Sequence, residues 1–134
     1  PMAAPAVAVS NDGKKIAAAW MDMRAGNRDV QWTVGTAGKF VPEATVHDDA
    51  KNVQGHPSLA FDSEGTAWCA WEDTRSGPND QRIYAADSKT RKNVAVSAPA
   101  EGKCGYPSLA AGGAVLGIAY ESGSGISFRV VSGN

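Results

Sequence analysis

Two short charged patterns carry the most chemistry in this chain: Asp22-x-Arg24 and Asp73-x-Arg75, each following a tryptophan, Trp20 or Trp71. A guanidinium and a carboxylate at this spacing can serve in two ways. Turned outward, they can hold a ligand carboxylate or sugar hydroxyls through charge-assisted hydrogen bonds. Turned inward, they close on each other and on backbone carbonyls as a loop clasp. Repetition straight after an aromatic residue favours the clasp. A second pair is His56 and Tyr106, each placed just before a proline, Pro57 or Pro107. An aromatic edge there can stack on a sugar or cap the segment that follows. Asp22, Arg24, Asp73, Arg75, His56 and Tyr106 are therefore the candidate ligand-binding residues.

Other clusters carry less. Glu72, Asp73 and Asp80 supply carboxylates, and glycoside hydrolysis needs two of them flanking one bond. Nothing in their spacing places them so, and charged loop residues are usually solvated. No catalytic residue is assigned. His47-Asp48-Asp49 has metal-ligand residue types, but neighbours on an extended segment point apart. The only other histidine is His56. Asp62-Ser63-Glu64-Gly65 lacks the later ligands of a calcium loop and reads as a turn. Neither a metal nor a cofactor is expected. Cys69 falls in phase with Trp71 and reads as a small buried hydrophobe; a Cys69–Cys104 disulfide is the alternative.

These residues must be positioned by short strands. His56 to Gly77 holds two apolar runs, Pro57–Phe61 and Thr66–Trp71, split by the Asp62–Gly65 turn, which is a hairpin pattern. The pattern recurs at Ala4–Gly26 and Tyr106–Gly125, so Pro5, Pro57 and Pro107 return about every fifty residues, a period typical of repeat architectures. Lys15 to Met21 is rich in alanine, yet its alignment with Thr66–Glu72 and its brevity make it a strand. Asp29–Thr36 alternates as a third strand, and Phe40–Val46, which contains Pro42, fits an outermost fourth. The second unit repeats this with Arg82–Asp87 and Asn93–Ala98. The third has strands at Pro107–Ala111, Ala114–Tyr120 and Ile126–Val131, without a fourth.

Four antiparallel strands per period is the arithmetic of a β-propeller blade. The expected fold is all-β, with one partial-propeller domain over 1–134: blade 1 near 4–50, blade 2 near 56–100 and an incomplete blade 3 near 106–134. Three blades cannot close a ring, and the end sheets would expose apolar faces at a cost of ~25 cal/mol per Å². Self-association of two copies into a six-bladed ring is the expected closure. An excised piece of a longer propeller is the other option. Trp20, Trp71 and Tyr120 are expected to pack between blades, with the outer neighbour of Tyr120 coming from another chain and Tyr120→Phe nearly silent.

The stretch Pro57–Tyr84, with Pro-Ser-Leu-Ala, Trp71-Glu72-Asp73 and Arg75-x-Gly77, resembles the repeats of sialidase-like (BNR-type) propeller proteins. The likeness extends to Pro5–Val30 and decays in Pro107–Phe128, which loses Asp-x-Arg. It implies a propeller fold and a role outside the cytoplasm, secreted or periplasmic. Catalytic members of that family carry an Asp-box, an arginine triad and a Tyr–Glu pair. Ser10-Asn11-Asp12-Gly13 and Ser63-Glu64-Gly65-Thr66 depart from the box, and Phe128-Arg129-Val130-Val131 only distantly echoes the segment bearing the first triad arginine. The expected function is thus a non-catalytic module, binding carbohydrate or protein or purely structural. The alternative is part of a sialidase-type glycoside hydrolase whose catalytic residues lie partly outside this chain.

Composition agrees with a globular sheet protein: 43% hydrophobic, much of it alanine, and only 7% aromatic. Net charge is −1 with no basic run, so no nucleic-acid or anionic-membrane footprint is expected. No apolar run approaches the ~18 residues that span a bilayer.

Overall fold

A computed structural model describes residues 2–132. Three antiparallel sheets follow one another along the chain, each with its strands in sequence order. The first comprises β1 (Met2–Val9), β2 (Ile16–Asp22) and β3 (Asp29–Thr36), edged by β4 (Lys39–Phe40) and β5 (Ala44–Thr45). The second comprises β6 (Gln54–Phe61), β7 (Ala67–Asp73), β8 (Arg82–Asp87) and β9 (Val94–Ala95). The third is β10 (Gly105–Gly112), β11 (Val115–Ser122) and β12 (Gly125–Ser132). The alanine-rich run is a strand, as its place in the repeat requires.

The outermost strands are shorter than expected. Phe40–Val46 splits into two two-residue pieces on either side of Pro42, which has no N–H to donate to the ladder. In the second sheet only Val94–Ala95 pairs. The turn after β6 uses a side-chain acceptor: Asp62 Oδ1 accepts from the N–H groups of Glu64 and Thr66, and Gly65 takes a left-handed φ of +72°.

Cross-strand register decides which face each residue occupies. In β2, Ala17 and Ala19 pair with Val34 and Trp32 and turn toward the second sheet. They meet Leu59, Phe61, Ala67, Cys69 and Trp71 in a first core. The opposite face of the second sheet gives Ala60, Ala70, Ile83 and Ala85 to a second core with Leu116, Ile118 and Tyr120. Alanine recurs on the contact faces, where its short side chain lets stacked sheets approach each other. Trp71 and Tyr120 thus each face the sheet before their own, while Ala17, Ala19, Ala60, Ala70 and Ala85 face the sheet after theirs. Cys69 lies in the first core and Cys104 in the second, both as free thiols. Burial pushes both thiols above the usual cysteine range.

The same geometry corrects the expectation for the aromatics. Tyr120 is buried against the second sheet of its own chain, not against a neighbour from elsewhere. The member of the set that faces no other sheet among the described residues is Trp20, half-buried on the leading face of the first. Tyr120 also uses its hydroxyl, 3.0 and 3.1 Å from the two carboxylate oxygens of Glu101. Burial first, then Glu101, pushes the phenol up to about 12, so it donates at any physiological pH. Tyr120→Phe is therefore not silent: it should lower the unfolding free energy by about 1 kcal/mol in urea titration, with an unchanged denaturant slope.

Candidate functional site

The first strand of every sheet begins with the same irregularity. Pairing with the second strand slips between Ala3 and Ala6, between Gly55 and Ser58, and between Gly105 and Ser108. Within each slip a non-glycine residue adopts a left-handed backbone: Ala4 at φ 47°, His56 at 47° and Tyr106 at 51°. The following proline lacks an N–H and cannot continue the ladder. Such a conformation costs about 1–3 kcal/mol at each position and persists only where the surroundings impose it. Its effect is to lift one side chain per sheet out of the pleat onto a common end of the stack.

At that end, His56 and Tyr106 come together. Their rings stand 4.9 Å apart at 45°, and Tyr106 is 61% exposed. Glu72, at the end of β7, ties them: one carboxylate oxygen lies 2.7 Å from His56 Nδ1, and the other accepts the Tyr106 N–H at 2.7 Å. Gly105 makes this possible, because a Cβ there would meet Glu72 Oε1 at 2.9 Å. The matching glycine, Gly55, lies against Met21, which holds the place of Glu72 in the first sheet. Gln81 Nε2 completes the rim by donating to the Cys104 carbonyl at 2.8 Å. The three-membered group is thus an exposed aromatic, an imidazole and an oriented carboxylate.

The Asp-x-Arg pairs stand behind this rim and are committed to each other. Asp73 accepts from the Trp71 indole N–H, the Arg75 backbone N–H and the Arg75 guanidinium, each at 2.8 Å. Arg75 reaches on to Asp48 at 2.7 Å and Asn93 at 3.0 Å, and stacks 4.0 Å above the Tyr84 ring. Burial opposes its charge, but its bonds to Asp73 and Asp48 prevail and raise its proton affinity. One arginine therefore joins the β7–β8 loop, the crossing from the preceding sheet and the start of the outer strand. Thr74 adds to the same junction by exchanging hydrogen bonds with Val53.

Asp22 and Arg24 repeat the motif with Trp20 donating to Asp22 at 3.2 Å and Arg24 reaching Glu43. The Arg24 guanidinium holds the Asp22 carboxyl well below the usual carboxylate range. The difference is exposure: the Arg24 side chain is 54% accessible and that of Arg75 13%. Asp80 is likewise taken by Arg82, 2.7 Å away. The carboxylates considered for hydrolysis are thus each engaged by a named partner.

A buried polar cluster lies between the first two sheets, and little in the sequence foretells it. The His47 side chain is enclosed, with Nε2 3.5 Å from Asp29 Oδ1. Both of its ring nitrogens, Asp29 Oδ1 and Gln54 Oε1 lack hydrogen-bond partners among the described residues. Burial pushes the imidazole below its ordinary range, against the pull of Asp29 and Asp73, so it is neutral near pH 7. Among the described residues no three His, Cys, Asp or Glu side chains are grouped to hold a metal. In the sequence His47 is only the first residue of a polar crossing, and its burial follows from docking of the second sheet. The left-handed rim positions do have a signal: the x-Pro step repeated once per period.

No family model matches the chain, and no curated protein matches it. Among solved structures, the chain is similar to TolB from Acinetobacter baumannii, with a TM-score of 0.55 and 14% identity. The alignment covers 98% of this chain and 30% of that one. TolB is a β-propeller protein, and the likeness supports a propeller-class, all-β fold for this chain.

Proposed function

We propose that this chain is a non-catalytic, sialidase-like propeller module that binds a neutral carbohydrate at the rim formed by His56, Glu72 and Tyr106. The observation that carries the reading is the left-handed residue set into the first strand of each sheet. Backbone strain repeated at one end of the stack, with an exposed tyrosine and an oriented carboxylate, suits a ligand platform. An aromatic face takes the apolar side of a sugar ring, while Glu72 and His56 accept or donate to hydroxyls. Asp22, Arg24, Asp73 and Arg75 act in this reading as the frame that holds the rim, through the bonds described above. The module acts outside the cytoplasm, secreted or periplasmic. A protein ligand on the same rim is the second occupant of this class.

The test is a panel of neutral and sialylated oligosaccharides, followed by calorimetry on the strongest hit. Binding should weaken at least tenfold in Tyr106→Ala, whose folding midpoint stays near that of the parent because the ring is exposed. Absence of binding to every glycan at millimolar concentration would reject the carbohydrate reading. Turnover of a fluorogenic sialoside would instead favour the alternative, a hydrolase completed by residues outside this chain.

A further inference from the structure

Between β5 and β6 the chain crosses from the first sheet to the second, and this crossing carries an ionisable group that the rim does not use. The side chain of His47 is only 1% exposed, and neither ring nitrogen has a partner among the described residues. Three charged groups on other elements face the ring. They are Asp29 at the start of β3, Asp73 at the end of β7 and Arg75 in the loop after it. The crossing itself brings the backbone of Asp49 to the ring, while the Asp48 carboxylate is exposed and bound to Arg75.

We propose that His47 is an acid-sensitive latch between the first two sheets. It holds the crossing closed while the imidazole is neutral and releases it when the ring takes up a proton. A neutral ring suits this enclosure, because no charge is taken out of water. An imidazolium brings a charge and two N–H donors. Arg75 repels that charge, and Asp73 already accepts from Trp71 and twice from Arg75. Asp29 Oδ1 stands 3.5 Å from Nε2, at the limit of a hydrogen bond. Burial outweighs the pull of both carboxylates and holds the proton affinity of the ring below the ordinary histidine range. An open crossing restores the ordinary affinity. Closure is therefore fully favoured above about pH 6.5 and is lost as pH falls through the lowered value.

The latch lies beneath the rim. Gln54, the first residue of β6, donates its N–H to the Arg28 carbonyl at 2.9 Å, and His56 follows two residues later. At the other end of the crossing, the Val46 N–H bonds to the Val30 carbonyl at 3.0 Å. Acid thus loosens the strand that carries His56, whatever the rim binds.

Hydrogen exchange read at single amides is the test. From about pH 7.5 to about pH 5.5, corrected for the intrinsic effect of pH, protection at Val46 and Gln54 should fall at least about fivefold. Ile118 and Tyr120, in the third sheet, should keep theirs. His47→Gln cannot take up the proton and should show no such fall. Asp29→Asn removes a group that favours the charged ring, so its fall should exceed that of the parent. His56→Gln should respond as the parent does, which separates the two histidines. If His47→Gln does not fold, an NMR titration of the parent decides, with the His47 ring expected to titrate below the ordinary histidine midpoint. A midpoint at or above the ordinary value overturns the proposal. So does a response that survives His47→Gln, disappears in His56→Gln, shrinks in Asp29→Asn, or runs toward tighter protection in acid.

Discussion

Replacing Trp71 with alanine should cost about 3–5 kcal/mol of unfolding free energy, the loss expected when a large enclosed side chain leaves a cavity. Trp71 has no exposed surface, stacks on Tyr84 with ring centroids 6.3 Å apart, and lies in the first core with Ala17 and Ala19 of the first sheet and Ala67 and Ala86 of its own. Alanine neighbours cannot move in to fill the space, because their methyl groups are already fixed by the sheet. A domain of this size is stable by roughly 5–15 kcal/mol, so the variant should keep only a fraction of parental stability. Trp20 occupies the same place in the repeat on a face that no other described sheet covers, and in this chain Trp20→Ala should cost less than half as much. Urea midpoints measured on both variants under one set of conditions make the comparison. Equal losses at the two positions would mean that sheet stacking does not decide their burial.

That contrast also separates what is legible in the sequence from what is not. The period of about fifty residues, the hairpins at Pro5, Pro57 and Pro107 and the strand over the alanine-rich run all follow from turn chemistry and alternation, which are local. Which side of the stack an aromatic faces is not local. Trp20, Trp71 and Tyr120 share one register position, and only the order of the sheets places Tyr120 inside the chain and Trp20 at its edge. The outer strands fall short of their sequence pattern because two paired residues suffice where β3 and β8 already have a partner on their other side. At the rim, His56 and Tyr106 are legible as a pair from their prolines. Glu72 is legible only as a charge, since its role arises where one sheet meets the next. His47 and Gln54 are silent for the same reason: nothing in a polar crossing foretells that a neighbouring sheet will close over it.

The second large effect should come from the clasp. Asp73 is 1% exposed and accepts from an indole, a backbone N–H and a guanidinium. Asp73→Ala strips all three donors of their acceptor at once and leaves an arginine charge that is largely enclosed. Removing one member of a buried pair typically costs about 3–5 kcal/mol, and that is the loss expected here. Arg75→Ala should be milder, about 2–3 kcal/mol, because the carboxylate keeps the Trp71 and backbone donors. With both residues gone, no unpaired charge remains, so the double variant should be at least about 1 kcal/mol more stable than the two single losses added together. Asp22→Ala serves as the control. Its partner Arg24 stands largely in solvent, so water replaces the lost bonds and the effect should be smaller than at Asp73. If instead Asp73→Ala and Arg75→Ala were additive and near zero, the clasp would contribute no stability. The pair would then be free to hold a ligand, and loss of glycan or carboxylate binding in the same variants would be the measurement to make.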